Sequence, residues 1–422
     1  MKKQQLLNEI MGVPKAIDFW VDLFSIIVTG MVKGIVDNEE IEFSDIKYEN
    51  EDGEEVEDTA YRGRTMLNGK EVMKWVLKIA GHNELTDFLK DPRFKSFPLF
   101  NPSIQLTVYF LPRKIFDLQF AQGSTDVVSA FHSFDSSKKS LSKIGSSTIL
   151  VNQGFGFEIY LKNDDMEKLD VEKVRKLLKP TIGHELTHCY ETYNRVKTSG
   201  DPFQGRESIL NSAIKMMDDF KYPSWSNFLH LVYLHLSFEV NARVTQIYYE
   251  LEDSDIKTTE EFMDYLKKTS AYKEAEILEN FDAKQFIENF EIRGLDFFQN
   301  LEDIGRQRER LEADLPPIYS KKTSEEGMRH LIEGWDVFLQ YMSSYLNKQG
   351  VYKGKLMDLV PQKAIEDPYL FFKFFENRFH KKAERFKKKL MRVSSLIINK
   401  ELFRGEELNE VRVPRSERVK FV

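Results

Sequence analysis

Near the middle of the chain, ten residues in a row, Thr181-Ile-Gly-His-Glu-Leu-Thr-His-Cys-Tyr190, contain no proline, no Lys or Arg, and one acidic side chain, Glu185. That composition leaves few options. Side chains four apart on an α-helix stack on one face, so a helix here sets His184 and His188 side by side, with Glu185 one position round. Ile182, Leu186, Thr187, Cys189 and Tyr190 suit a helix enclosed on several sides, because a surface helix normally shows a charged face. The segment is therefore expected to be a helix buried on several sides, carrying two imidazoles and a carboxylate.

Two imidazole nitrogens at this spacing can share one Zn²⁺. Glu185, next to the first of them, can take a proton from a water that the metal activates. The competing reading is a buried structural His pair with an accidental Glu. A zinc site needs a third protein ligand, and a second apolar stretch offers one. Leu231 to Tyr249 reads LVYLHLSFEVNARVTQIYY, and Glu239 stands in it between Phe238 and Val240. A carboxylate there costs several kcal/mol unless paired or bound to metal. The competing reading pairs Glu239 with Arg243, four residues on. Ala242, small and three residues on, would let this helix approach the first closely.

His184-Glu185-x-x-His188 resembles the active-site helix of the zincin metallopeptidases. The metzincin branch carries Gly and His where this chain has Glu191 and Asn194, which excludes it. The gluzincin branch takes a Glu from a later helix, and Glu239-x-x-Ala242 is similar to that motif, although the gap is longer than in thermolysin-like enzymes. The resemblance spans about residues 149–251. It implies a zinc-dependent peptidase acting on a peptide or protein substrate. His184, His188 and Glu239 would be the ligands of one Zn²⁺, and Glu185 the general base. The alternative is a catalytically inactive zincin-like structural or partner-binding protein, such as a virion component. One position departs from the thermolysin-like pattern: Arg243 stands where an Asp would orient the first ligand His, and Arg cannot accept a hydrogen bond. Glu191 is the nearest substitute acceptor for His184, and a further option as third ligand.

The other polar residues leave alternatives open. His235, one helical turn before Glu239, is read either as a catalytic group that steadies a tetrahedral intermediate or as a core His. His230 reads as structural. Tyr190, Tyr193, Tyr233 and Tyr248 all qualify as oxyanion stabilisers, and spacing cannot choose among them. Cys189 points away from a metal at His188 and reads as core.

The fold class expected is α+β: a small, mainly antiparallel sheet packed on a zincin-like helical core, with a largely helical C-terminal half. The acidic run Asp37 to Asp58, interleaved with Ile41, Phe43, Ile46 and Tyr48, reads as a solvated strand pair. Lys70 to Ile79 reads as a helix that Gly81 ends. Ser103 to Leu111 and Ser146 to Leu161 read as strands, with Gly154 and Gly156 breaking the second. The second lies near the cleft, where a zincin edge strand can pair with an extended substrate. Val171 to Val196 reads as one long helix with Pro180 as a kink or restart. Arg206 to Phe220 and Trp225 to Leu251 read as further helices. Leu315-Pro-Pro-Ile-Tyr-Ser320 reads as a linker. The division expected is an N-terminal mixed region over 1–100, the peptidase-like core over 101–312, and a helical C-terminal region over 313–422 with a basic, Phe-rich tail.

Composition narrows the partners. The chain carries 61 Lys and Arg against 68 Asp and Glu, a net charge of −7, which excludes binding nucleic acid by bulk charge. Hydrophobic residues make up 41% and charged residues 31%, a globular balance. Between Phe371 and Arg392, Lys and Arg alternate with six Phe, a basic helix able to bind an acidic partner or, more plainly, a packed helix with a solvated face. Nothing points strongly to nucleic acid or membrane. Ala16 to Val36 is apolar but holds Asp18, Asp22 and Lys33, and is expected to be an amphipathic helix packed on the rest. A lone cysteine excludes an internal disulfide. With no signal-peptide pattern after Met1-Lys2-Lys3, the expected location is cytoplasmic, with release by lysis or non-classical export left open.

Overall fold

Strand-forming runs in the first half pair into a five-stranded sheet and a small two-stranded antiparallel one, and every described element after them is helical. A computed structural model describes residues 16–37, 41–49, 55–120, 127–134, 141–144, 147–199, 228, 231, 234–235, 237–252, 254–288 and 360–398. The architecture is α+β. In chain order the elements are α1 (Ala16–Asp37), β1 (Ile41–Glu49), β2 (Glu55–Leu67), α2 (Gly69–Ala80), α3 (Leu85–Lys90), α4 (Pro92–Lys95), β3 (Ser103–Leu111), α5 (Arg113–Gln119), β4 (Val128–Phe134), β5 (Leu141–Ile144), β6 (Ser147–Leu150) and β7 (Gln153–Lys162). The helices α6 (Asn163–Glu167), α7 (Val171–Ser199), α8 (Ser237–Leu251), α9 (Thr259–Leu266), α10 (Ser270–Glu279), α11 (Ala283–Glu288), α12 (Gln362–Ile365) and α13 (Pro368–Ile398) follow. The expected helix over 206–220, the linker over 315–320 and His230 and Tyr233 lie outside the described residues.

The chain forms two compact units. The first comprises residues 1–200, 241–262 and 392–422. Its sheet runs β1-β2-β3-β7-β4, with β3 and β7 parallel and the other neighbours antiparallel. Alternation along β3 and β7 puts Ile104, Leu106, Val108 and Phe110 beside Phe155, Phe157, Ile159 and Leu161, all buried on one face. Helix α1 covers that face, with Phe24 edge-on to Phe155 at 4.9 Å between ring centroids. Within the acidic run β1 pairs antiparallel with β2, with Glu42, Phe43, Ser44 and Asp45 exposed, a solvated strand pair as expected.

Two sequence expectations about strands are corrected. The stretch from Ser146 to Leu161 breaks at Val151 and Asn152, where Asn152 takes a left-handed φ of 58°, and not at the glycines. Gly154 and Gly156 sit inside β7, and the Phe131 ring of β4 lies where a Cβ on Gly156 would be. The edge strand next to β7 is β4, so the strand leading to α7 is internal rather than available for pairing.

Helix α1 is long and apolar enough to cross a bilayer, so Asp18, Asp22 and Lys33 do not by themselves exclude a span. Packing decides its role. Trp20, Val21, Phe24 and Val28 are fully buried, the Trp20 indole donates to the Phe97 carbonyl at 3.0 Å, and 67% of the most apolar window is enclosed by protein. Two of its charges tie it to the fold: Asp22 meets Lys179 of α7 at 3.0 Å, and Asp18 accepts from the Tyr249 hydroxyl of α8. Helix α2 starts on a capping box between Asn68 and Glu71 and ends on left-handed Gly81, φ 77°, as its sequence indicates.

Asp91 joins α2, α3 and α4. It accepts from the Arg93 amide (2.9 Å) and guanidinium, and contacts His82 Nε2 at 2.8 Å. Burial alone would raise its pKa, but the bonds from Arg93 and His82 and the guanidinium charge outweigh it and bring the carboxyl down to about 2. The folded pKa lies below the unfolded value of about 3.9, so Asp91 stabilises the fold above pH ~4 and that contribution is lost as pH falls toward 2. Acid titration of thermal stability should show a fall between these limits that Asp91→Asn lacks. Identical slopes for the two proteins would sink the assignment.

The second unit comprises residues 201–240 and 263–391. Its core is aromatic. Phe228 is ringed by Phe281, Phe286, Phe371, Phe372, Phe375 and Phe379, with centroids 4.9 to 6.1 Å away. The Phe residues of the basic tail are thus largely spent on packing along α13. Its most exposed cations, Lys381, Arg385, Lys388 and Arg392, lie on the outer side. Polar ties fix α13 to its neighbours: Glu376 accepts the Ala283 amide at 2.9 Å, and His380 meets the Phe281 carbonyl at 2.9 Å.

Candidate metal centre

Helix α7 runs unbroken from Val171 to Ser199 with Pro180 inside it. A proline there removes one backbone bond, a cost that enclosure by α1, β4 and α8 outweighs. Polar side chains on its buried faces are satisfied by the helix itself. Thr187 donates to the Gly183 carbonyl at 2.8 Å and Thr192 to that of His188 at 3.0 Å. Cys189 faces away from the His pair, toward Gln153 Oε1 of β7 at 4.0 Å, and Gln153 in turn meets His132 of β4 at 2.7 Å. Burial, with Glu185 nearby, pushes the Cys189 thiol well above its usual pKa, so it is an inert core group.

Helix α8 begins at Ser237, which corrects the expectation of one continuous helix from Trp225: His235 stands in a turn before it. The unit boundary falls between Val240 and Asn241, so the body of α8 belongs to the first unit and Glu239 stands on the first turn of that same helix. Helices α7 and α8 meet at Gly183. A Cβ there would run into the Tyr249 ring and lie 3.5 Å from the Thr245 methyl. Glycine inside a helix disfavours it by roughly 0.5–1 kcal/mol, and here it allows the close approach. Ala242, fully buried, is the small residue on α8 that the sequence pointed to. Gly183→Ala would gain that propensity but overpack the contact by about 1–3 kcal/mol, so a net loss is expected as a lower denaturation midpoint. A raised midpoint would mean that the helices are not in contact there.

The Nε2 atoms of His184 and His188 face each other at 3.0 Å, with ring planes at 80°. Ligand atoms of His184, His188 and Glu239 all lie within 4.8 Å of one another. His184 is 8% exposed, Glu185 6% and Glu239 0%. The donor set fits zinc. Bonds of about 2.0–2.1 Å in tetrahedral geometry place neighbouring nitrogens about 3.3 Å apart, near the observed His–His spacing. The 4.8 Å bound is wider, and the end of a Glu side chain turns readily about its last torsion.

The other expected site residues have these partners. His235 is buried with its ring against Phe375 and Phe379 at 6.2 and 5.3 Å, and is not part of the converging trio. Glu191 is also outside the trio and accepts from Asn241 Nδ2 at 2.8 Å. Tyr248 bonds Glu252 at 3.3 Å, while Tyr190 and Tyr193 pack on Phe97. Sequence reasoning passed over Gly183, Asn241 and Tyr249. Only Gly183 carried a signal, a glycine inside an otherwise helical pattern.

Comparison of the chain with protein-family models, with curated proteins and with solved structures finds no match.

Proposed function

We propose that the chain is a zinc-dependent metallopeptidase of the gluzincin type. The observation that carries this reading is the convergence of His184, His188 and Glu239, two from one helix and one from another, beside Glu185. Zinc held by these three would supply a Lewis acid and lower the pKa of water in the site toward about 7. The protein's own groups do the rest. Glu185 takes the proton as water attacks the scissile carbonyl and returns it to the departing amine. Enclosure of the carboxylate strengthens its interactions with the charge that develops. No step is assigned to His235. The substrate proposed is a peptide or protein, and the location proposed is cytoplasmic, where a lone thiol stays reduced.

Metal analysis of the purified protein should give about one zinc per chain, and a chelator should abolish cleavage of a denatured protein substrate. Protein that binds zinc stoichiometrically but cleaves nothing would favour the inactive, partner-binding alternative. Protein that binds no zinc would remove the peptidase reading and leave that alternative, which needs no metal.

A further inference from the structure

We infer that the hydrogen bond between Glu191 and Asn241 is the positioning link that holds the third zinc ligand against the first two; the inference rests on the zinc reading above. Glu191 lies three residues beyond His188 on α7, and Asn241 two residues beyond Glu239 on α8. Asn241 Nδ2 donates to Glu191 Oε1 at 2.8 Å in a partly buried setting. Such a bond to a carboxylate is stronger than one between neutral groups.

The placement is what gives the bond a role. Helices α7 and α8 touch at Gly183 against Thr245 and Tyr249, and again at Glu191 against Asn241, so they run antiparallel past each other. One contact alone would let the pair pivot. Two contacts, one on each side of the His pair, set both the crossing angle and the axial register. Glu239 sits on the first turn of α8, where backbone amides lack intrahelical partners and the helix is most easily frayed. The Asn241 bond ties down the chain directly behind that turn. Glu191 and Asn241 are positioning residues in this scheme; neither touches the metal or the reacting atoms.

The test uses the full chain, zinc competition with a chromophoric chelator, and the visible absorption of Co²⁺-loaded protein as a readout of ligand geometry. Glu191→Ala and Asn241→Ala should each weaken zinc about 10–100-fold and alter the cobalt spectrum, the range seen when a ligand's support is removed. Glu191→Gln keeps an acceptor oxygen and should stay within about threefold of wild type. Asn241→Asp sets two carboxylates against each other and should weaken zinc. Glu191→Gln combined with Asn241→Asp rebuilds the bond with donor and acceptor exchanged, at unchanged net charge, and should recover most of the loss. The link is overturned if both alanine variants bind zinc within about twofold of wild type, or if the double variant is no better than Asn241→Asp alone. Wild-type protein that takes up no zinc would overturn the link together with the peptidase reading. Wild type that binds zinc, with variants that bind it equally well, overturns the link alone.

Discussion

Glu185→Gln is expected to retain about one zinc per chain while hydrolysis of a denatured protein substrate falls by roughly 10²–10⁴-fold, the usual size of a general-base contribution. The residue is 6% exposed and adjacent to His184, so an isosteric amide fills the same space without disturbing the helix. What the amide cannot do is accept a proton, and that capacity is the whole of the role proposed. Measuring zinc content and turnover on the same preparation separates the two properties. Full activity in the variant would assign the base elsewhere, and loss of zinc would mean that Glu185 is structural.

Glu239→Ala is expected to lower zinc affinity by more than the roughly 10–100-fold that supporting residues cost, because it removes a ligand itself. The carboxylate is fully enclosed, and one of its oxygens lies within 4.8 Å of a ring nitrogen of His184 and of His188. Ligand binding to the folded state alone raises stability by about 2.7 kcal/mol at one hundred times Kd, so zinc should raise the wild-type Tm clearly and the variant Tm little. Glu191→Gln serves as the control. If Glu191 were the third ligand, that variant would lose zinc and Glu239→Ala would keep it.

Much of this molecule is legible in short stretches of chain. The capping box at Asn68 and the left-handed Gly81 delimit α2 by local hydrogen bonding, and the alternation in Ser103–Leu111 marks β3. The pairing of His184 with His188 needs only helical geometry. What failed were inferences that depended on partners distant in sequence. The glycines of β7 read as a break because, alone, they weaken a strand; Phe131 from β4 covers Gly156 and removes the penalty. The stretch from Trp225 read as one helix because nothing local interrupts it, whereas the chain turns at His235, whose ring is packed on Phe375 and Phe379.

The sequence by itself determined that a buried helix would carry two imidazoles and a carboxylate on fixed spacings, and that a second apolar stretch would carry Glu239, since these follow from residue identity and a period of 3.6. The tertiary structure alone decided that Glu239 would reach the His pair, that β4 and not β7 would be the edge strand among the described residues, and that Glu191 would bond Asn241. Those outcomes depend on which surfaces meet, and each is set by small residues and buried polar groups whose partners lie far along the chain.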